Sequence, residues 1–225
     1  AFRVNAEGSL CVLEAARACA RLPRVLLVGS SEVYGQVSAE RMPIGEDSPL
    51  RPVTPYAASK AAAEMVGLQA FLAHDLGVIR VRPFNHVGPG QAPTFVVSSL
   101  ARNVAEAERD GTGKVVVGNL SPRRDFTDVR DVVAAYRGLI VDGEAGEVYN
   151  VCSGRDIAID DIAHRLLALA KADLTLEVDR SRFRPVDVPV VRGDPSRLQA
   201  TTGWEPAIPL DDTLRDTLDY WRAHP

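Results

Sequence analysis

The chain has 225 residues, 46% hydrophobic and 25% charged, with a formal net charge of −4. These values fit a globular protein large enough to bury a real core. The acidic balance leaves no electrostatic footprint for nucleic acid, and no apolar run approaches a membrane span, so neither partner is expected.

Residues 4–21, rich in Ala, Leu and Glu, predict a helix broken by Pro23. Val25-Leu26-Leu27-Val28 reads as a buried strand. Residues 36–55 hold five Pro or Gly positions and read as a loop. Thr54 is a helix N-cap with Pro55 at the first helical position. The helix then runs from Tyr56 to His74 and ends at Gly77. Ala61, Met65, Leu68 and Leu72 form its large apolar stripe; Tyr56, Lys60, Ala63 and Gly67 form a smaller one. Residues 78–82 make the next strand, completing an αβαβ alternation typical of a parallel sheet with crossover helices.

From Pro83 the pattern turns irregular. Residues 83–91 read as a turn-rich loop after a strand end, where open α/β sheets bind ligands. A helix is expected over 95–110, a strand over 114–117 and a loop over 118–125. Asp128 caps a further helix, and strands are expected at 147–151 and 174–178. Helical stripes fall on Ile159, Ile162, Leu166 and Leu169, and on Leu210, Leu214, Leu218 and Trp221. Residues 183–194 read as a loop. The expected fold is α/β: a Rossmann-like parallel sheet over residues 1–98, to which helix 127–141 and strand 147–151 return. A smaller mixed α/β substrate-binding part covers residues 99–225.

Chemistry concentrates in Ser30-Ser31-Glu32-Val33-Tyr34-Gly35 and Pro55-Tyr56-Ala57-Ala58-Ser59-Lys60. Tyr56 and Lys60, four apart, share a helix face. A hydroxyl at the strand end can sit opposite it, and Ser, Tyr and Lys so arranged can exchange a proton with an alcohol or ketone. A free tyrosine has a pKa near ~10, and a nearby ammonium favours its phenolate. The competing reading is a helix-start Tyr and a solvated Lys. Cys11, Cys19 and Cys152 form no CxxC pair, and the four histidines show no metal spacing. They read as packing residues of a reduced, cytoplasmic protein without structural zinc.

These two motifs are followed in order by Arg82-Pro83-Phe84-Asn85-His86 through Gln91, and by Val117-Gly118-Asn119-Leu120 with Arg124-Asp125-Phe126. Val148-Tyr149-Asn150-Val151 and Thr202-Gly203-Trp204 complete the set. The chain resembles an extended short-chain dehydrogenase/reductase acting on nucleotide sugars. Within that superfamily it is most similar to GDP-4-dehydro-6-deoxy-D-mannose reductases, which make GDP-rhamnose, with GDP-mannose 4,6-dehydratases close by. The resemblance implies NADP or NAD as cofactor and a GDP-sugar as substrate. It further implies a homodimer through helices 4–21 and 56–74. The implied catalytic set is Ser30, Tyr56 and Lys60, with Glu32 as the dehydratase base or, alternatively, a carboxylate that orients sugar hydroxyls. Cofactor contacts are implied for Tyr56, Lys60, Pro83, Asn85 and His86, although a lone loop His is often structural. Substrate contacts are implied for Ser31, Glu32, Asn85 and Val96, for Arg124 and Arg184 as diphosphate ligands, and for Asp187 at ribose. Asp125, Asp128 and Asp131 read as caps and braces, and Trp204 as packing.

The family's opening strand, Gly-rich turn and helix have no counterpart here, so the first residues are expected to correspond to the middle of the family's first domain. Three activities compete: reduction of a GDP-4-keto-6-deoxy-hexose, GDP-mannose 4,6-dehydration or another nucleotide-sugar epimerase/dehydratase reaction, and a non-catalytic nucleotide-sugar-binding fragment.

Overall fold

The structure, a computed structural model, describes residues 1–183 and 188–224. A π-helical turn, Arg3–Glu7, opens into α1 (Gly8–Arg17); β1 (Val25–Val28), α2 (Pro55–His74), β2 (Val78–Pro83) and β3 (Asn85–Val87) follow. Next come α3 (Val96–Asp110), β4 (Lys114–Val117), β5 (Arg123–Asp128), α4 (Val129–Asp142), β6 (Val148–Val151) and β7 (Asp156–Ala158). The described elements end with α5 (Ile159–Ala168), β8 (Thr175–Val178), β9 (Val190–Val191), α6 (Ser196–Thr202) and α7 (Leu210–Ala223). Two compact units result. The first comprises Ala1–Phe84, Val132–Gly154 and Arg192–Glu205; the second comprises Asn85–Asp131, Arg155–Val191 and Pro206–Pro225.

The first unit is built on a parallel sheet ordered β1-β2-β6. All six residues of β2 are buried, as expected for a parallel strand covered on both faces. Successive side chains alternate between those faces. Ile79 and Val81 pack with Val132, Ala135 and Leu139 of α4. Val78 packs with Leu13 of α1, Leu27 of β1 and Ala70 of α2.

The α2 helix begins as predicted, with Thr54 Oγ1 accepting from Ala57 N at 3.1 Å and Pro55 at its first position. Its other end differs: Asp75 adopts the left-handed cap (φ 52°), not Gly77. The buried face also differs. Met65 and Leu72 are exposed, while Ala57, Ser59, Ala63, Glu64, Gly67 and Ala70 face inward. Close packing explains this: a Cβ on Gly67 would lie 3.3 Å from Leu27 and from Val78, so the small-residue stripe is what fits the sheet.

The second unit holds β3-β5-β7 with β9 also on β5, and a β4-β8 pair. Its core joins Leu100 and Val104 of α3, Ile162 and Leu166 of α5, and Leu214 and Leu218 of α7. Several expectations change here. Residues 85–87 form a strand within the predicted loop, paired with β5, and 123–128 form a strand where a loop was expected. β7, β9 and α6 were not anticipated. Asp128 caps α4 as predicted, its Oδ1 accepting from Arg130 N at 2.8 Å. Asp131 accepts from Ala207 N and Ile208 N. Among the described residues no helix is long and apolar enough to cross a membrane, and no cluster of His, Cys, Asp or Glu could hold a metal ion.

Candidate active site

β1 ends at Val28, and the chain passes through Gly29 to Ser30, which is extended (φ −166°, ψ 145°). Ser30 caps a short 3-10 turn, Ser31–Tyr34, its Oγ accepting from Glu32 N at 3.2 Å. This places Ser30 at the carboxyl end of a parallel strand, with Glu32 exposed on the turn. The first turn of α2 supplies Tyr56, whose hydroxyl lies close enough to Ser30 for the Ser30 side chain to favour its ionised form. Lys60, one turn on, has its ammonium 6.0 Å from the Tyr56 ring centre and donates to Val28 O at 2.9 Å. Ser30, Tyr56 and Lys60 are therefore brought together, with Glu32 close enough to act on Tyr56 electrostatically.

The protonation of Tyr56 departs from the expected phenolate. Burial pushes its pKa above the usual value, the Glu32 carboxylate adds to this, and the Ser30 side chain pulls the other way. Burial also lowers the pKa of Lys60. In this arrangement Tyr56 holds its proton and is suited to donate it.

Behind these groups lies polar structure that the sequence reading missed. Asn5 Nδ2 donates to Ser59 Oγ at 2.9 Å, and Ser59 Oγ donates to Tyr56 O at 2.7 Å. Glu64 is fully buried, with Arg80 and Arg82 of β2 against it. The available signal was spacing: Tyr56, Lys60 and Glu64 recur every four residues, and Arg80 and Arg82 alternate along one strand face. Tyr34 donates to Asn150 Oδ1 at 2.7 Å; burial lifts its pKa to about 12 against the lowering effect of Arg82.

The other candidates fall at element ends. Pro83 closes β2, paired in register with Val151. In the second unit, Asn85 and His86 begin β3 and are exposed; Asn85 Nδ2 donates to Asp125 O at 3.3 Å, and His86 O accepts from Gln91 Nε2. Val96 is the exposed first residue of α3. Arg124 donates to Arg123 O at 2.8 Å and to Val188 O at 2.6 Å. Arg184 and Asp187 lie outside the described residues. Trp204 packs in the α4 core, as predicted.

A parallel sheet with Ser, Tyr and Lys at the carboxyl end of one strand defines an extended short-chain dehydrogenase/reductase. A sequence profile of the GDP-mannose 4,6 dehydratase family matches residues 1–217, and the chain belongs to that family. It is 40% identical over 223 residues to the GDP-6-deoxy-D-mannose reductase of Pseudomonas aeruginosa, covering 99% of this chain and 73% of that protein. It is 30% identical to a dTDP-glucose 4,6-dehydratase of Streptomyces niveus, covering 98% of this chain and 63% of that protein. A solved structure of RMD from Pseudomonas aeruginosa complexed with NADPH superposes with a TM-score of 0.94 at 38% identity, covering all of this chain and 75% of the other.

Proposed function

We propose that the protein reduces the 4-keto group of a GDP-4-keto-6-deoxy-hexose to an alcohol, with NADPH or NADH as the hydride donor and Tyr56 as the proton donor. The observation that carries this reading is the meeting of Ser30, Tyr56 and Lys60 where β1 ends, with the Tyr56 phenol held protonated. Ketone reduction requires an acid at the carbonyl oxygen, and a raised phenol pKa keeps that acid loaded through neutral pH. The similarity to the Pseudomonas reductase supports the choice of substrate.

The donor set suits a nicotinamide dinucleotide: an ammonium and a phenol stand together where β1 ends, able to meet ribose hydroxyls. Lys60 and Tyr56 would hold the nicotinamide ribose, with Pro83, Asn85 and His86 as further cofactor contacts. When bound, the reduced ring supplies hydride. Tyr56 gives its proton to the sugar oxygen, Ser30 donates or accepts at the same oxygen, and Lys60 restrains the Tyr56 ring from one turn away. Ser31, Glu32, Asn85 and Val96 contact the sugar. Arg124, Arg184 and Asp187 take the diphosphate and ribose, the guanidinium fork matching phosphate oxygens. Exposed apolar side chains at the first helices (Val4, Leu10, Val12) and on α2 (Met65, Leu72) are available to a twofold mate. The protein is read as cytoplasmic.

A second reading, GDP-mannose 4,6-dehydration, draws on Glu32, a carboxylate near enough to Tyr56 to raise its pKa. Incubating the full-length protein with the GDP-4-keto-6-deoxy-hexose and NADPH should oxidise the cofactor in proportion to sugar reduced. Keto sugar formed from GDP-mannose alone, without added reductant, would overturn the reductase reading in favour of the dehydratase.

A further inference from the structure

The Ser30 turn and the start of α2 are separate pieces of chain, yet proton transfer between substrate and Tyr56 demands that they stay in register. A misplacement of ~1 Å can cost on the order of 10²-fold in rate. One continuous buried array connects them. Glu64 lies two turns beyond Tyr56 on the face that carries Lys60, and it is fully buried. Its Oε2 accepts from Arg82 Nε at 2.9 Å, and its Oε1 accepts from the second Arg82 amino group. Arg82 reaches onward, its Nη1 donating to the Tyr34 hydroxyl at 2.8 Å and to Glu46 O at 2.9 Å. Tyr34 is the last residue of the turn that Ser30 caps, and it donates to Asn150 Oδ1. Gly29, directly before Ser30, presses against the same array. A Cβ there would sit 2.8 Å from Val81 O and 3.7 Å from Glu64 Oε2.

Hydrophobic residues of similar volume could fill this helix–sheet seam without stability loss, because buried ion pairs rarely exceed their desolvation cost. What hydrocarbon cannot do is fix direction. The planar Arg82 fork holds the Glu64 carboxylate on one side and a phenol and a carbonyl on the other, which sets α2 against the turn at one distance and angle.

We propose that Glu64, Arg82 and Tyr34 are positioning residues that hold the Ser30 turn in register with the Tyr56 face of α2. The inference rests on Ser30 and Tyr56 being the reacting pair.

Tyr34→Phe tests it, since the ring is kept and both hydroxyl bonds are lost. In the full-length protein kcat should fall on the order of 10-fold with KM within twofold. The ¹³Cζ resonance of Tyr56 should shift in the same variant without added cofactor or substrate. In a Ser30→Ala background Tyr34→Phe should cause no further loss, because it acts through Ser30. Arg82→Lys, which keeps the charge and loses the fork, should reproduce both changes and serves alone if Tyr34→Phe does not fold. An unchanged kcat and Tyr56 resonance in a folded variant overturns the proposal, as does an equal further loss in the Ser30→Ala background. Full turnover by Tyr56→Phe would instead overturn the reacting pair, while the Tyr56 resonance of Tyr34→Phe still reports whether the array holds the turn.

Discussion

The two units bury different chemistry. In the first, the innermost face of α2 carries a carboxylate, and the strand beneath it carries two guanidinium groups, all out of solvent. In the second, α3, α5 and α7 meet through Leu100, Val104, Ile162, Leu166, Leu214 and Leu218. Ion pairs such as Arg102–Glu106 and Arg165–Asp211 sit at its surface, and its buried carboxylates Asp128 and Asp131 accept from a hydroxyl or backbone N–H groups. Apolar packing is non-directional and suffices to make a platform. The buried carboxylate with two guanidinium groups against it appears in the unit where Ser30 must be aimed at Tyr56. The contrast is thus between holding elements together and holding side chains in one orientation.

The largest expected effect is at Tyr56 itself. Tyr56→Phe should lower turnover on the order of 10²–10⁴-fold, while calorimetry still detects binding of the GDP-sugar. A matching loss of binding would make Tyr56 a structural residue and remove the functional half of the contrast. Glu64→Ala should destabilise the fold by about 3–5 kcal/mol in denaturant titration, because Arg80 and Arg82 are left buried with their carboxylate gone. Leu166→Ala, in the fully apolar core, should cost about 2–5 kcal/mol. Its activity per folded molecule should stay constant, and a changed kcat would show that the second unit also tunes orientation. Glu32→Gln sharpens the electrostatics. Reduction needs protonated Tyr56, so activity falls as pH rises through the Tyr56 pKa. The Glu32 carboxylate raises that pKa, and removing it should move the alkaline limb to lower pH; an unmoved limb would separate Glu32 from Tyr56. The smallest effect should be Glu106→Ala, which removes an exposed i,i+4 pair worth about 0.3–0.5 kcal/mol.

How much of this was legible in the sequence follows from which forces are local. The Thr54–Pro55 helix start, the Val25–Val28 strand and the pairing of Tyr56 with Lys60 were readable because cap chemistry and helical spacing act over a few residues. The facing of α2 was not. Met65 and Leu72 look like core by size, yet the sheet admits only Ala, Ser and Gly at close range. Glu64 becomes a core residue only because Arg80 and Arg82 arrive from another element. The strand at 123–128 was hidden because Arg123, Arg124 and Asp125 show no apolar alternation; it is defined by neighbours on both sides, β3 and β7. The site divided similarly. Ser30 and Tyr56 belong to recognisable motifs; Tyr34 stands in the first of these and Arg82 in the one that follows β2's start, and only their mutual hydrogen bond points to the role proposed for them.

The Tyr34–Asn150 bond spans 116 positions of sequence. Closing so long a segment is entropically slow relative to forming helix α2 or the turn at residue 31. During synthesis the Ser30 turn, Tyr56 and Lys60 all leave the ribosome well before β6 exists. The nascent chain therefore holds the turn through Arg82 and Glu64, without the Asn150 bond, until residue 150 has emerged, and a break anywhere before that point leaves the turn without its final tether.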